Sequence, residues 1–420
     1  MARTRVLVVD DSAFMRRSIS RMLGAIPSLE VVGAASNGEE GLKLARELRP
    51  DVITLDVEMD VLDGMAMLER LMLEMPTRVV MLSSRTTEHA KLTLDALDRG
   101  AIDFVAKPTG PLSIDLAQVG DELRRKIEAA VTMSETAFGR HCRIAVANLT
   151  RAGAEARTAT PAVKSLSGDA PALPLHDLPA PVPAGRRRHT SRIAARRLVV
   201  VASSTGGPSA LNVLVKGLPS TMGAAVAIIQ HMPAGFTASL AARLDLAGQL
   251  RCAEATSEDV LVEDEILVAP GDHHMISSTS GHVRIVRLLP VNGVRPAADV
   301  TLQSVAPIWR ERLLCVVLTG MGVDATDGAR AVKHYGGRVI VQDAATATIY
   351  GMPGAVAAAG LADQVLPLDQ IASAVAAWCA SDERESPEPK PARTDRTAAP
   401  ADHSADAPGA AYAHANRTDN

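Results

Sequence analysis

Short runs of β-branched and aliphatic residues alternate with amphipathic stretches in two separate series, and this alternation constrains the fold more than any other feature of the chain. The first series has apolar runs at 6–9, 31–34, 52–55, 79–82 and 103–105, with helical patterns near 13–25, 39–48, 88–98 and 116–130. Strands this short, separated by helix-length segments, pair in parallel, because a parallel connection needs a crossover of about a dozen residues or more. Five such units predict one doubly wound parallel sheet of flavodoxin-like type. The second series begins at 198 and ends near 380, which predicts a second α/β domain. Aromatic residues make up only 2% of the chain, so both cores must be built from Val, Leu, Ile, Ala and Met.

Between the two series, 132–195 is rich in Ala, Pro, Ser, Thr and Arg, including Pro171, Pro174, Pro179, Pro181 and Pro183. It reads as a long flexible linker. The predicted partition is therefore 1–131, a linker over 132–195, a second domain over 196–380, and a disordered polar tail over 381–420. The cluster Arg186, Arg187, Arg188, Arg192, Arg196 and Arg197 reads as a solvated part of the linker. A net charge of −4 over 420 residues argues against a general nucleic-acid or membrane-surface binder. Cys142, Cys252, Cys315 and Cys379 are scattered, without the spacing of a zinc site or a disulfide framework. One short apolar run precedes Asp10, too short for a signal-peptide core, and no apolar span reaches membrane-crossing length. A cytoplasmic protein, not inserted in a membrane, is expected.

The residues that end the strands of the first series carry chemistry. The run 6–9 leads into Asp10 and Asp11, 52–55 into Asp56, 79–82 into Ser83, and 103–105, with Phe104, into Lys107. In a parallel sheet all of these lie along the carboxyl edge. Three carboxylates there suit Mg²⁺, and a hydroxyl and an ammonium suit an added phosphoryl group. Singly, Asp10, Asp56 or Lys107 reads more readily as a solvated charge at a strand end than as a functional residue. Together, through V-V-D-D-S, L-D-V-E-M-D-V-L-D-G, M-L-S-S and F-V-A-K-P, they give 1–131 a pattern that resembles the response-regulator receiver family. The resemblance implies phosphorylation of Asp56 by a histidine kinase, Mg²⁺ held by Asp10, Asp11 and Asp56, and Ser83, Lys107 and Phe104 as switch residues. Asp60 stands where that family usually has proline, bringing another carboxylate near the site.

Three strand ends matter in the second series. The run 198–201 leads into Ala202-Ser203-Ser204-Thr205-Gly206-Gly207-Pro208, the run 225–230 into His231-Met232-Pro233, and the run 313–318 into Thr319-Gly320-Met321-Gly322-Val323-Asp324. They place a hydroxyl in a tight glycine turn, an imidazole and a carboxylate at one sheet edge, the set a nucleophilic hydrolase needs. Taken alone, the glycine turn also reads as a phosphate cradle or a plain strand-to-helix turn, His231 as a packed histidine, and Asp324 as a turn residue. The order Ser, His, Asp and the lack of a G-x-S-x-G elbow separate the region from the common hydrolase patterns.

Together with A-P-G-D-H-H-M, N-G-V-R-P-A-A-D-V and I-Y-G-M-P-G-A-V, these segments resemble the catalytic domain of the chemotaxis protein-glutamate methylesterase and glutaminase family over 198–366. The resemblance implies Ser204 as nucleophile, His231 as general base and then acid, Asp324 as the residue that orients it, Met321 as an oxyanion donor through its backbone N–H, and Thr205 and His274 in support. It implies no cofactor for the hydrolase, methylated chemoreceptors as substrate, the kinase as phosphodonor, and a receiver that covers the catalytic cleft until Asp56 is phosphorylated. Ala202 and Ala325 stand where the family usually has glycine, and the second departure leaves Asp327 as an alternative orienting carboxylate. A receiver joined to a DNA-binding output domain would show a helix-turn-helix and a basic face. A nucleotide-binding enzyme would show G-x-G-x-x-G or G-K-[ST]. Neither signature occurs here.

Overall fold

The computed structural model describes residues 3–84, 86–107, 114–158 and 194–381. The tail expected from 381 and the linker over 159–193, with Arg186, Arg187, Arg188 and Arg192, lie outside those residues.

The first half runs β1 (Thr4–Val9), α1 (Ala13–Gly24), β2 (Leu29–Ala35), α2 (Gly38–Leu48), β3 (Val52–Asp56), α3 (Gly64–Glu74), β4 (Arg78–Ser83), α4 (Thr87–Asp98), β5 (Asp103–Ala106) and α5 (Ile114–Thr132). The five strands pair in parallel in the order β2-β1-β3-β4-β5. Their near-continuous apolar sequences follow from helices covering both faces; every residue of β3 is buried. Ser12, Asn37, Asp63 and Thr86 each accept a backbone N–H at the start of a helix, which fixes where α1, α2, α3 and α4 begin.

The chain does not turn to linker at 132. It continues as α6 (Glu135–Thr158), whose Ala137, Phe138, Cys142 and Ala145 are buried on the first domain. Arg78 lies over the Phe138 ring at 4.5 Å, and Asn148 Nδ2 donates to the Asp98 carbonyl at 2.9 Å. The helical period is present in the sequence, but alanine, glycine and arginine dilute its apolar face.

The second half runs β6 (Arg197–Ser203), α7 (Gly207–Gly217), β7 (Ala224–Gln230), α8 (Phe236–Ala247), β8 (Arg251–Glu254), β9 (Glu265–Val268), β10 (His274–Ser277), β11 (Val283–Val286), α9 (Ala298–Trp309), β12 (Leu313–Val317), α10 (Thr326–His334), β13 (Arg338–Gln342), α11 (Met352–Ala358), β14 (Gln364–Leu366) and α12 (Leu368–Ala380). Seven strands pair in parallel in the order β14-β13-β12-β6-β7-β9-β8, and β10 and β11 form an antiparallel hairpin beside them. Arg197 is not a linker residue: it donates to the Trp378 carbonyl and lies over that ring at 4.9 Å.

Strand order reverses between β1 and β3 in the first sheet and between β6 and β12 in the second. Such switch points open a crevice at the carboxyl ends of the strands. Asp10 and Asp56 flank one, and Ser204 and Asp324 flank the other. Among the described residues no helix is long and apolar enough to cross a membrane.

Candidate active site

Two adjacent serines end β6, and their surroundings separate them. Ser203 is buried and its Oγ donates to Gln230 Oε1 at 2.7 Å, so that hydroxyl is committed to the core. Ser204 is half-buried, and its backbone is held on both sides: its N–H donates to the Thr319 carbonyl at 3.0 Å, and its carbonyl accepts from Gly207 N at 2.7 Å and Gln230 Nε2 at 2.9 Å. The same Gln230 amide donates to the His231 carbonyl at 3.2 Å, tying the two strand ends together. Ser204 Oγ makes no hydrogen bond among the described residues and faces the cleft. Two glycines make this approach possible. Gly206 caps α7 at φ 76°, and a Cβ at Gly320 would sit 2.8 Å from Ser204 Cβ.

His231 and Asp324 meet as the sequence order implies. Nε2 of the imidazole lies 2.7 Å from Asp324 Oδ2. Asp324 is buried, and its carboxylate sits on the N-terminus of α9, accepting from Ala298 N at 2.6 Å and Asp299 N at 2.9 Å. Burial opposes its ionisation. The imidazole hydrogen bond and charge and the two amides outweigh burial and hold the carboxyl below the usual carboxylate range. Asp327 is exposed and pairs with Arg330 at 3.8 Å, so the alternative carboxylate is turned away from the imidazole. Ala325, where the resemblance leads one to expect glycine, takes φ 77° at the N-cap of α10.

The cleft holding Ser204 and His231 has a volume of about 250 Å³ and is lined also by Thr205, Asp272, Arg295 and Met321. The Met321 N–H has no hydrogen-bond partner among the described residues and is free to donate into the cleft. Thr205 is placed differently, since its hydroxyl donates to Asp103 in the first domain at 2.5 Å. His274 does not support the cleft. Its Nδ1 accepts from Ala297 N at 3.2 Å and its Nε2 faces the Leu289 carbonyl at 3.1 Å, so both nitrogens are used in holding the turn before α9.

At the first switch point the carboxylate oxygens of Asp10, Asp11 and Asp56 lie within 4.8 Å of one another. Lys107 Nζ is 2.9 Å from Asp10 Oδ2 and 2.6 Å from Asp56 Oδ2. Burial pushes the Asp56 carboxyl up to about 6, against the pull of Lys107 and with the help of Asp10 and Asp11. Burial also opposes the charge on Lys107, but Asp56 and Asp10 outweigh it and raise its pKa. Asp60 is exposed and stands outside this group. Ser83 is buried, and its Oγ accepts from Thr93 Oγ1 of α4 at 2.7 Å.

Residues 199–375 match the CheB methylesterase family and residues 6–117 the response regulator receiver domain. A protein-glutamate methylesterase/protein-glutamine glutaminase of Symbiobacterium thermophilum is 44% identical over 375 residues, covering 88% of this chain and 96% of that protein. The chain belongs to this methylesterase family. A protein of the same description from Geobacillus kaustophilus is 41% identical over 387 residues, covering 89% of this chain and 98% of its own. The solved CheB methylesterase catalytic domain of Thermotoga maritima is 40% identical, covers 44% of this chain and 99% of its own, and superposes with a TM-score of 0.43.

In this member of the family the receiver lies over the methylesterase cleft. Glu122, Arg125 and Lys126 of α5 form part of the cleft wall. Phe104 of β5 stacks on Phe236 of α8 with ring centroids 4.5 Å apart. Arg243 of α8 pairs with Asp95, at 2.9 Å, and with Asp98 of α4. Thr205, next to Ser204 in sequence, is tied to the receiver by its bond to Asp103, and Asp103 is itself paired with Lys126 at 3.1 Å. A hydrogen bond to a buried charge contributes ~1.5–3 kcal/mol, whereas partly exposed ion pairs such as those of Arg243 contribute about 0–1 kcal/mol. Asp103 is therefore the stronger tie. Neither it nor Gln230 stood out in the sequence, although Gln230 directly precedes His231 at the end of β7, where an apolar strand turns polar.

Proposed function

We propose that the chain is a phosphorylation-activated hydrolase that demethylates methylglutamate side chains of chemoreceptors, releasing methanol, and deamidates receptor glutamines to glutamate. The observation that carries this reading is the His231–Asp324 pair beside Ser204 at the switch point of the second sheet, in a cleft walled by the receiver. The ionised Asp324 can only accept, so the imidazole carries its proton on Nε2 and leaves Nδ1 as the basic nitrogen. Ser204 Oγ attacks the ester carbonyl while Nδ1 takes its proton, and the Met321 N–H receives the developing oxyanion. The imidazolium then returns that proton to the leaving methanol, or to ammonia from a glutamine, and water attacks the acyl-serine by the reverse path. The Ser204–His231 hydrogen bond is expected to close when substrate fills the cleft.

The receiver supplies the control. Asp10, Asp11 and Asp56 would hold Mg²⁺, which would supply charge neutralisation for a phosphoryl group there. A histidine kinase of the cytoplasm is the phosphodonor. The phosphoryl group on Asp56 draws Ser83 from Thr93 and engages Lys107. Loosening of β5 and α4 then releases the Asp103, Phe104, Asp95 and Asp98 contacts and uncovers Ser204. The partition that accompanies this reading is a receiver over 1–131, extended by α6, and a catalytic domain over 196–380. No nucleic acid is involved. Methanol release from membranes carrying radiolabelled methylated receptors tests the activity: the wild-type chain releases it and Ser204→Ala does not. Release by the alanine variant would remove Ser204 from the mechanism, and no release by the wild type would remove the esterase reading.

A further inference from the structure

Asp299 stands two residues inside α9, where an aspartate ordinarily needs no explanation because the helix dipole favours one in the first turn. Its side chain is not spent on its own helix. It is 3% exposed, Oδ1 accepts from Gly328 N at 2.7 Å, and Oδ2 accepts from Asn292 Nδ2 at 3.0 Å. Its own N–H donates to Asp324 Oδ1. One residue thus joins three segments: the loop before α9, the helix itself, and the first turn of α10 beyond Asp324. The arrangement sets a second buried carboxylate behind the one that holds the imidazole.

From this geometry we infer that Asp299 is a positioning residue of the hydrolase, which fixes the Asp324 loop and lends its negative charge to the His231–Asp324 pair. The inference rests on the esterase reading for its kinetic consequence. A second buried carboxylate next to Asp324 adds its field to the charge that the imidazole meets, and so stabilises the imidazolium formed during the reaction. The groups that face Asp299 are consistent with this. Asp324 and Asp327 lie on the loop side, with Arg330 paired to Asp327; Cys315 on β12 is a buried thiol pushed up by its surroundings; and His274 on β10 is committed to Ala297 and Leu289. The cation among them, Arg330, is exposed and paired with Asp327, so it does not cancel the Asp299 charge from within the core. Burial, with the Asp324 charge acting the same way, pushes the Asp299 carboxyl up to about 6, as expected of a charge kept next to another.

The test is the pH dependence of kcat/KM for methanol release by the full chain with Asp299→Asn, a change that keeps the shape and can still accept from Gly328. The expected result is an acid limb moved down by about one pH unit, with kcat reduced about tenfold at pH 8 and KM unchanged. A rate that falls equally at all pH values, with the limb unmoved, would mean that Asp299 acts only as a structural clamp and would overturn the inference while leaving the esterase reading intact. A wild-type chain without activity would instead overturn the esterase reading. A second measurement needs no catalysis and no substitution at 299. In the full chain with Asp56→Asn and ¹³C-labelled aspartate carboxyls, one carboxyl still titrates near pH 6. If no aspartate titrates in that range, the charge coupling is absent.

Discussion

Asp56 and Asp324 both follow a central strand at a topological switch point, both are buried, and their carboxyl groups are driven in opposite directions. Asp56 is offered one ammonium, from Lys107, and shares it with Asp10 in a group that also holds Asp11. Burial wins there, and the carboxyl rises to about 6. Asp324 is offered two backbone N–H groups at the end of α9 and an imidazole, and its carboxyl falls. Burial is common to both, so the difference lies in the donors. On the proposed function, the site that takes up a cation and a phosphoryl group is left short of donors, and the site that holds one imidazole through a reaction cycle is built with them in place.

Substitutions that remove the two carboxylates sharpen the contrast. Asp324→Asn cannot offer two acceptor oxygens to α9 and a third contact to Nε2, and is expected to lower kcat by about 10³–10⁴-fold, with or without phosphodonor. Asp56→Asn is expected to leave unstimulated methanol release unchanged and to remove only its stimulation. Equal losses in both variants would erase the distinction between a control site and a reaction site.

The contact between the two sites gives the next effect. Asp103→Ala removes the bond to Thr205 and is expected to raise activity without phosphodonor about tenfold, equivalent to ~1.4 kcal/mol of lost closure. Arg243→Ala, which breaks partly exposed pairs, is expected to raise it less than about fivefold. Steady-state methanol release measures both, and a larger effect from Arg243 would reverse the ranking of the ties.

Stability separates the sites again. The folded pKa of Asp56 lies above its ordinary value of 3.8, so its ionisation costs stability. The cost is absent below about pH 3, where the group is protonated in both states, grows as pH rises through 3.8, and is complete above about pH 7. Asp56→Asn should therefore raise the melting temperature at pH 8 and leave it nearly unchanged at pH 3. The smallest effect expected is at Ala325, held at φ 77°. Ala325→Gly is expected to add about 1 kcal/mol to unfolding stability in urea.

Residues at strand ends were legible in the sequence for a geometric reason. Once the apolar runs are read as parallel strands, Asp10, Asp56, Ser204, His231 and Asp324 must share edges, and motif order separates one edge from the other. Partners contributed from far along the chain were not legible. Gln230 looks like an ordinary polar strand end, Asp299 like a dipole-compensating residue, and Asp103 like a solvated charge, until folding brings Ser203, Gly328 and Thr205 against them. His274 looked like site chemistry because histidine so often is, but the turn before α9 claims both of its nitrogens. Helix α6 escaped notice because alanine forms helix without marking an apolar face.

On the proposed function, the donor-poor site on the receiver governs the donor-rich site of the hydrolase. The most direct measurement is the initial rate of methanol release with and without a small-molecule phosphodonor and Mg²⁺, for the intact chain and for Asp56→Asn. Stimulation of the intact chain and none of the variant is expected, with equal rates before the donor is added. Stimulation of both, or of neither while the intact chain is phosphorylated at Asp56, would contradict it.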